Sequence, residues 1–306
     1  MKLIPDGNLI FEVISRYDDL LTMEGREGYE PGDTLALIVP FLVLHNISEA
    51  DITTAAARAT LTDGAAELVS LLKNSGWEVF CITTAYEQYA SHITRKLGIP
   101  KRNVACTKLK LDKFRITLCK EDTALLEQTE QDIIAMQADD TMIKRKLDSF
   151  FRKLLPRTEC GRAIRQVKPV GGRRKVSALR DFSRRIDQPL SRWVVAGDSI
   201  TDFRMLKEVD NAGGLAIAFN ANQYALPYAT MSLASINIGD LAPALKAWQE
   251  GGREEAKKAV RAREKASVND NRDNFHWLSG KGDIYDVIAL HQRIRRLVRE
   301  EAGKLG

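Results

Sequence analysis

The chain has 306 residues, of which 44% are hydrophobic and 28% are charged, and its formal net charge is +5. A chain of this length can bury one sizeable core and carry an accessory domain. The modest charge and the low aromatic content of 7% argue against a nucleic-acid partner, and no apolar run approaches the roughly eighteen residues of a membrane span.

The N-terminal residues lack the features of a secretory signal, because Pro5, Asp6 and Gly7 interrupt the first apolar residues. The four cysteines are widely separated and form no CxxC pair, which argues against a zinc knuckle and a disulfide framework. The four histidines are equally scattered. We therefore expect a cytoplasmic protein with reduced thiols and without a membrane partner.

The first sixty residues have the apolar spacing of helices only. Apolar side chains recur every three or four positions from Leu9 to Leu21, and Asp6 is suitably positioned to cap this helix. Asp33 marks the start of a second helix through LALIVPFLVL, and SEADITTAAARA is typical of a third. Residues 1–60 are therefore predicted to form a helical cap domain.

From Leu61 onward, helices alternate with short apolar strands. The letters GAAELVSLLKNSG and YEQYASHITRKLG are typical of helices that end at a glycine, whereas WEVFCIT and NVAC are typical of strands. This alternation predicts a doubly wound, Rossmann-like parallel sheet. Two predicted helices between Glu121 and Leu155 interrupt it, and we interpret them as a helical insertion.

The alternation resumes with the helix GGRRKVSALRDFSRRI, the strand RWVVAG, a helix after Asp202 and the strand GLAIAF. Beyond Trp248 the chain is charged and helical, with a polar break at SVNDNRDN. The patterns together predict five segments, namely the cap at 1–60, the α/β core at 61–118 and 159–248, the insertion at 119–158 and a helical C-terminal extension at 249–306.

Asp198 and Asp202 follow the strand RWVVAG and are four positions apart. Ligands of open parallel sheets bind at the carboxyl ends of the strands. Magnesium prefers hard oxygen ligands and often takes only one or two protein carboxylates. We interpret Asp198 as a direct metal ligand and Asp202 as a residue that holds a metal-bound water or braces the loop, although a turn residue and a helix cap would produce the same letters.

Two further motifs could contact a phosphate group. Thr83 and Thr84 follow the apolar part of the strand WEVFCIT, where a hydroxyl and free backbone N–H groups can donate to a phosphate oxygen. Lys175 lies at a helix start after two glycines, where its ammonium could offset the charge of a phosphoryl group. Taken alone, the threonines could simply cap a helix, and Lys175 could be a solvated side chain.

The order and spacing of these motifs resemble those of the haloacid-dehalogenase-like (HAD) hydrolases, within the phosphoserine-phosphatase-like branch. Thr83 matches the Ser or Thr of the second motif of that family and Lys175 matches the Lys of the third. Gly197, Asp198 and Asp202 match the acidic fourth motif. The resemblance covers residues 61 to about 245.

The resemblance implies a Mg²⁺-dependent phosphatase that hydrolyses a small phosphomonoester. It assigns Thr83 and Lys175 to catalysis, Thr83, Thr84 and Lys175 to the substrate, and Asp198 and Asp202 to the metal.

The first motif of the family, Asp-x-Asp or Asp-x-Glu at the end of an N-terminal strand, has no match in this chain. Asp18 and Asp19 lie inside a predicted helix, and too few residues precede Asp6 for a strand. In the family, that strand lies in the centre of the sheet and its first Asp is the nucleophile. We therefore expect that the sequence starts late, with roughly 20 to 30 residues missing, and that the chain as given is inactive.

Two other functions fit parts of the sequence. A HAD-like protein without a nucleophile could bind a phosphorylated ligand or a protein partner without turnover. A GDSL-type esterase could use Ser199 of GDSI, although that block normally lies near the N-terminus and needs a DxxH pair, whereas Asp286 and His291 are five positions apart. The sequence predicts neither the substrate nor the oligomeric state.

Overall fold

The computed structural model describes residues 3–115, 118–136, 139–267 and 274–304. It divides into two compact units. Unit 1 consists of Met1–Arg58, Thr83–His92 and Ala105–Gly171, and unit 2 of Ala59–Ile82, Ile93–Val104 and Gly172–Gly306.

The helices of the described residues are α1 (Gly7–Met23), α2 (Thr34–Leu44), α3 (Glu49–Ala57), α4 (Ala65–Asn74), α5 (Glu87–Lys96), α6 (Leu111–Arg115), α7 (Lys120–Ala135), α8 (Asp140–Asp148), α9 (Glu159–Ile164), α10 (Arg173–Arg185), α11 (Phe203–Asn211), α12 (Ala242–Ser267) and α13 (Tyr285–Lys304). The strands are β1 (Cys81–Tyr86), β2 (Val104–Thr107), β3 (Val194–Gly197), β4 (Leu215–Phe219), β5 (Met231–Ala234) and β6 (Asn274–Trp277).

Unit 1 is built from helices around one apolar core. The predicted helix from Leu9 to Leu21 is confirmed as α1, and its apolar face, including Ile14 and Tyr17, is buried. The helix α3 begins with a capping box between Ser48 and Asp51. The helices α7 and α8 add further side chains to the same core, which therefore unites the N-terminal helices with residues of the predicted insertion.

Unit 2 contains a four-stranded sheet in the order β3-β4-β5-β6. The strands β3, β4 and β5 are parallel, with Val194 opposite Leu215 and Ile217 opposite Met231. The side chains of β5 are all buried, as are four of the five in β4. Continuous burial of this kind is typical of strands covered on both faces.

The structure is mixed α/β, and the prediction of a parallel sheet is correct only in part, because β6 pairs antiparallel with β5. The strand β6 was not predicted from the sequence. Phe275 and Trp277 of this strand are buried in one cluster with Ala256 and Val260 of α12, so packing on the preceding helix holds the strand beside β5. Most of the predicted polar break SVNDNRDN lies outside the described residues.

The strands β1 and β2 form a separate two-stranded sheet. The predicted strand WEVFCIT began at Trp77, but pairing begins only at Cys81. Among the described residues, β1 pairs only with β2 and β3 only with β4. The start of the strand was predicted too close to the N-terminus. The sequence shows where a segment is apolar, whereas a strand also needs a partner for its backbone.

No single helix in the described ranges is long and apolar enough to cross a bilayer; α2 and α3 meet the criteria only together, as a pair bent by 112°.

Candidate active site

The loop between β3 and α11 is folded around the carboxylate of Asp202, which is only 4% exposed. Its Oδ2 accepts hydrogen bonds from the backbone N–H groups of Asp198 and Ser199, each at 3.1 Å, and from Ser199 Oγ at 3.1 Å. Gly197 is required here, because a Cβ at this position would lie 2.6 Å from Asp202 Cβ. The carboxylate therefore fixes the backbone that presents Asp198.

Lys175 pairs with Asp202 in the interior of unit 2. Its Nζ lies 2.7 Å from Asp202 Oδ1, and both side chains are 6% exposed. Burial acts to raise the pKa of Asp202, but the charge of Lys175 and the hydrogen bonds outweigh it, so the pKa lies below its usual value. The backbone N–H of Gly172 donates to Thr201 O at 3.0 Å, which ties the start of α10 to the same loop. Both oxygens of Asp202 are thus engaged, which suits the bracing role better than direct metal binding.

Asp198 is the half-exposed carboxylate of the loop. Arg295 of α13 donates from Nη1 to Asp198 Oδ2 at 2.5 Å, and the same nitrogen contacts Asp198 O at 3.1 Å and Asn220 O at 2.9 Å. The backbone N–H of Asn222 donates to Asp198 O at 2.8 Å. One carboxylate oxygen is therefore held by a protein cation.

Arg295 was not predicted as a site residue, because it lies in the charged, helical segment beyond Trp248. Arg295 lies one helical turn after His291, which is completely buried. Only the structure shows this burial, so the local sequence pattern could not identify the contact with Asp198.

Thr83 and Thr84 belong to unit 1, whereas Lys175, Asp198 and Asp202 belong to unit 2. Thr83 Oγ1 accepts a hydrogen bond from the Ala85 backbone N–H at 3.2 Å, so its hydroxyl already bonds to the backbone of β1. The structure brings Lys175, Asp198 and Asp202 together, and the substrate contacts of the two threonines stay predictions.

The described residues around Asp198 supply only some of the ligands that a metal ion needs. Among the described residues, no group of three His, Cys, Asp or Glu side chains could hold a metal ion. Asp198 could supply one carboxylate oxygen, while Asp202 is committed to Lys175 and the loop. Magnesium accepts such a sparse protein contribution when water and phosphate complete its octahedron. The residues therefore fit Mg²⁺ through Asp198, with the remaining ligands supplied from elsewhere.

Among the residues that the structure describes, Ser199 has no histidine partner of the kind that an esterase nucleophile needs. Its Oγ bonds to Asp202 Oδ2 at 3.1 Å and to Thr201 Oγ1 at 2.9 Å. His291 is buried, and its Nδ1 accepts from the Ala221 backbone N–H at 3.0 Å. Burial and nearby positive charge lower the pKa of His291 to about 3. Within the described ranges, Ser199 therefore forms no Ser–His pair, which the esterase interpretation requires.

No family model matches the chain, and no curated protein matches it. A solved structure that resembles it is the gene product AF1437 from Archaeoglobus fulgidus, with 27% identity and a TM-score of 0.82. The match covers 97% of this chain and 90% of that chain. The name of that protein states no activity, so the similarity concerns the fold.

Proposed function

We propose that the protein is a Mg²⁺-dependent phosphomonoester hydrolase of the HAD type and that the nucleophilic carboxylate lies outside residues 1–306. The buried pair of Lys175 and Asp202 carries this proposal. Burying an ion pair costs several kcal/mol, and apolar residues of similar volume often stabilise a fold at least as well. The pair of Lys175 and Asp202 is buried and also shapes the loop of Asp198. Such an arrangement is expected if Asp198 must be held in a fixed position.

Each residue has a defined role under this proposal. Asp198 binds the cation through its half-exposed carboxylate, and Asp202 holds the Asp198 backbone in place. Lys175 keeps Asp202 ionised and adds positive charge near the phosphoryl group. Thr83 and Thr84 donate to phosphate oxygens. Bound Mg²⁺ would stabilise the negative charge on the transferred group.

The finer fold belongs to the same proposal. The parallel strands β3, β4 and β5 form half of a doubly wound HAD sheet, and β1 and β2 form its other side. The strand that carries the nucleophile lies between β1 and β3. The cytoplasmic location and the small phosphorylated substrate are also predictions.

The activity is tested on the chain extended by the codons that precede Met1 in frame, which we call the extended chain. Phosphate release is measured from a panel of small phosphomonoesters, with Mg²⁺ and with EDTA. We expect release that requires Mg²⁺ and is lost in Asp198→Asn. Asp187→Asn is the matched control, because Asp187 is exposed and has a positive φ of 50° that asparagine tolerates.

Two results would overturn the proposal. One is the absence of phosphate release from every ester, and the other is release that persists in Asp198→Asn.

A second candidate is a HAD-like protein that binds a phosphorylated ligand or a protein partner without turnover. The ion pair between Arg295 and Asp198 favours it, because the guanidinium supplies a positive charge where a metal would otherwise sit. Calorimetry that detects binding of a phosphomonoester by the extended chain, with no phosphate release, would support this candidate.

A further inference from the structure

The last helix, α13, contacts the carboxyl ends of β3 and β4. Asp198 follows the last residue of β3, and Asn220 follows the last residue of β4. Arg295 of α13 donates to the backbone oxygens of both residues, at 3.1 and 2.9 Å. Ligands of open parallel sheets bind at this edge of the sheet. The helix is therefore docked at the edge where we expect a ligand.

His291 supplies a second contact between α13 and the same edge. Its side chain is completely buried, and its Nδ1 accepts a hydrogen bond from the backbone N–H of Ala221 at 3.0 Å. The backbone N–H of the next residue, Asn222, donates to Asp198 O at 2.8 Å. Because Nδ1 acts as an acceptor, the proton of the neutral ring is on Nε2. His291 thus holds the loop after β4, which in turn contacts Asp198.

The helix α13 packs only thinly on unit 2, although it has 20 residues. Of its side chains that the structure describes, only Val287 and His291 are buried. Tyr285 and Leu297 are large hydrophobic side chains that remain exposed. Most of the stability of a protein helix comes from the packing of its apolar face. A helix that buries so few side chains is expected to undock more readily than the sheet that it contacts unfolds.

The connection from β6 to α13 is suited to such a movement. Residues 280–283 are all exposed. Gly280 has a φ of 80°, and a Cβ at Gly282 would meet no heavy atom within 4 Å. The contact of Lys281 with Glu264, at 3.2 Å, is a surface ion pair of the kind that contributes little. Hinges are commonly a few loop residues of this kind, which absorb changes in φ and ψ.

We propose that α13 is a releasable strap over the loop of Asp198, with His291 as its pH-sensitive anchor. In the docked state Arg295 holds one carboxylate oxygen of Asp198, and release of the helix withdraws it. Protonation of His291 favours release, because the added proton would lie on Nδ1 and face the N–H of Ala221. Two donors would then oppose each other where one hydrogen bond now exists. Docking of α13 does not depend on whether the site hydrolyses phosphate.

The surroundings of His291 determine the direction of the pH effect. Among the described residues, the titratable or charged groups beside it are His276 of β6 and Arg295 of its own helix. Burial, followed by the positive charge of these two groups, lowers the pKa of His291 to about 3. In the undocked helix the pKa returns to its ordinary value of about 6.5. The undocked state therefore binds a proton that the docked state does not, and docking weakens as pH falls below about 6.5.

Amide hydrogen exchange of the chain of residues 1–306, at pH 7.5 and at pH 5.5, tests the strap. Protection is expressed relative to an unstructured peptide of the same sequence at the same pH, which removes the chemical effect of pH on exchange. Peptides from 288–298 and from 220–222 should lose protection together, by about tenfold, because the two pKa values of His291 shift the docking equilibrium by that factor. Peptides from α10, in the same unit, should keep their protection.

Two substitutions assign the effect to His291. Glutamine in His291→Gln gains no proton, and its amide oxygen can still accept a hydrogen bond. Protection of α13 in this variant should therefore be equal at the two pH values. His45→Gln is the matched control, because it removes a histidine of unit 1 that contacts Glu130, and it should behave like the wild type.

Three results would overturn the strap. The first is equal protection of α13 at both pH values in the wild type, which decides the question even if His291→Gln does not fold. The second is an equal loss of protection in α13 and α10, because the whole unit would then unfold. The third is a pH effect on α13 that persists in His291→Gln.

The strap and the phosphatase activity fail on different results. Release of α13 at pH 5.5, without phosphate release from the extended chain, would leave the strap in place and overturn the phosphatase. Phosphate release without a pH-dependent release of α13 would do the reverse.

Discussion

Arg295 and Asp198 form an ion pair that joins the last helix to the loop after β3. Arg295 Nη1 lies 2.5 Å from Asp198 Oδ2 and 3.1 Å from Asp198 O. The guanidinium is mostly buried, with a side chain 16% exposed, while the Asp198 side chain is 51% exposed. The carboxylate that we propose as a metal ligand is therefore already neutralised on one side by the protein.

Arg295→Ala should increase the affinity for Mg²⁺, because the metal would no longer share Asp198 with a guanidinium. A half-exposed pair contributes at most about 1 kcal/mol, which corresponds to an increase of roughly fivefold. Calorimetric titration of the extended chain with Mg²⁺ measures this affinity. The control is Arg296→Ala, a change at the neighbouring exposed arginine. A lower affinity in Arg295→Ala would show that the guanidinium supports the site.

Lys175→Met should destabilise unit 2 strongly, since it leaves the Asp202 carboxylate buried without its counter-charge. The expected loss of unfolding free energy is about 3–5 kcal/mol. Urea denaturation compares this variant with Lys246→Met, which removes an ammonium that is 76% exposed. Equal losses of unfolding free energy in the two variants would mean that the pair of Lys175 and Asp202 does not stabilise the loop.

Gly197→Ala should disturb the same loop by steric contact, because the added Cβ would lie 2.6 Å from Asp202 Cβ. Overpacking of this kind costs about 1–3 kcal/mol. The control is Gly282→Ala, where a Cβ would meet no heavy atom within 4 Å. Thermal unfolding of both variants measures the difference, and an unchanged melting temperature for Gly197→Ala would contradict the packing described above.

Asp18 of unit 1 should make stability depend on pH. Burial raises its pKa to about 6, although hydrogen bonds from Tyr29 and Gly32 oppose the shift. The folded state therefore holds a proton that the unfolded state releases, and the unfolding free energy falls as pH rises from about 4 to 6. The loss is on the order of 3 kcal/mol over this window.

Denaturation at pH 4.5 and 7.5 tests this effect by comparing the wild type with Asp18→Asn. The asparagine variant should lose less stability between the two pH values. Asp112→Asn, a change at an exposed carboxylate of the same unit, should behave like the wild type. An identical pH dependence of the unfolding free energy in Asp18→Asn and the wild type would show that Asp18 does not cause it.

The sequence predicted the elements whose pattern is local. The face of α1 repeats every three or four residues over 17 residues, so its position could be read directly. The strand β6 has only four residues, and it depends on burial of Phe275 and Trp277 against α12. No local pattern specifies such a contact, and it was missed.

The same distinction applies to the site. The motif around Asp198 and Asp202 is contained in five residues, and its loop geometry follows from Gly197 and the nearby backbone. The contact with Arg295 joins residues 97 positions apart, so only the fold could reveal it. The start of β1 was misplaced for a related reason, because the backbone of residues 77–80 needs a strand partner that the described residues do not supply.

We propose that the site around Asp198 hydrolyses a phosphate ester. A matched pair of chromogenic substrates, p-nitrophenyl phosphate and p-nitrophenyl acetate, tests it most directly in one assay on the extended chain. We expect Mg²⁺-dependent cleavage of the phosphate ester that is lost in Asp198→Asn, and no cleavage of the acetate ester above background. Cleavage of the acetate ester that is lost in Ser199→Ala, with the phosphate ester untouched, would contradict it.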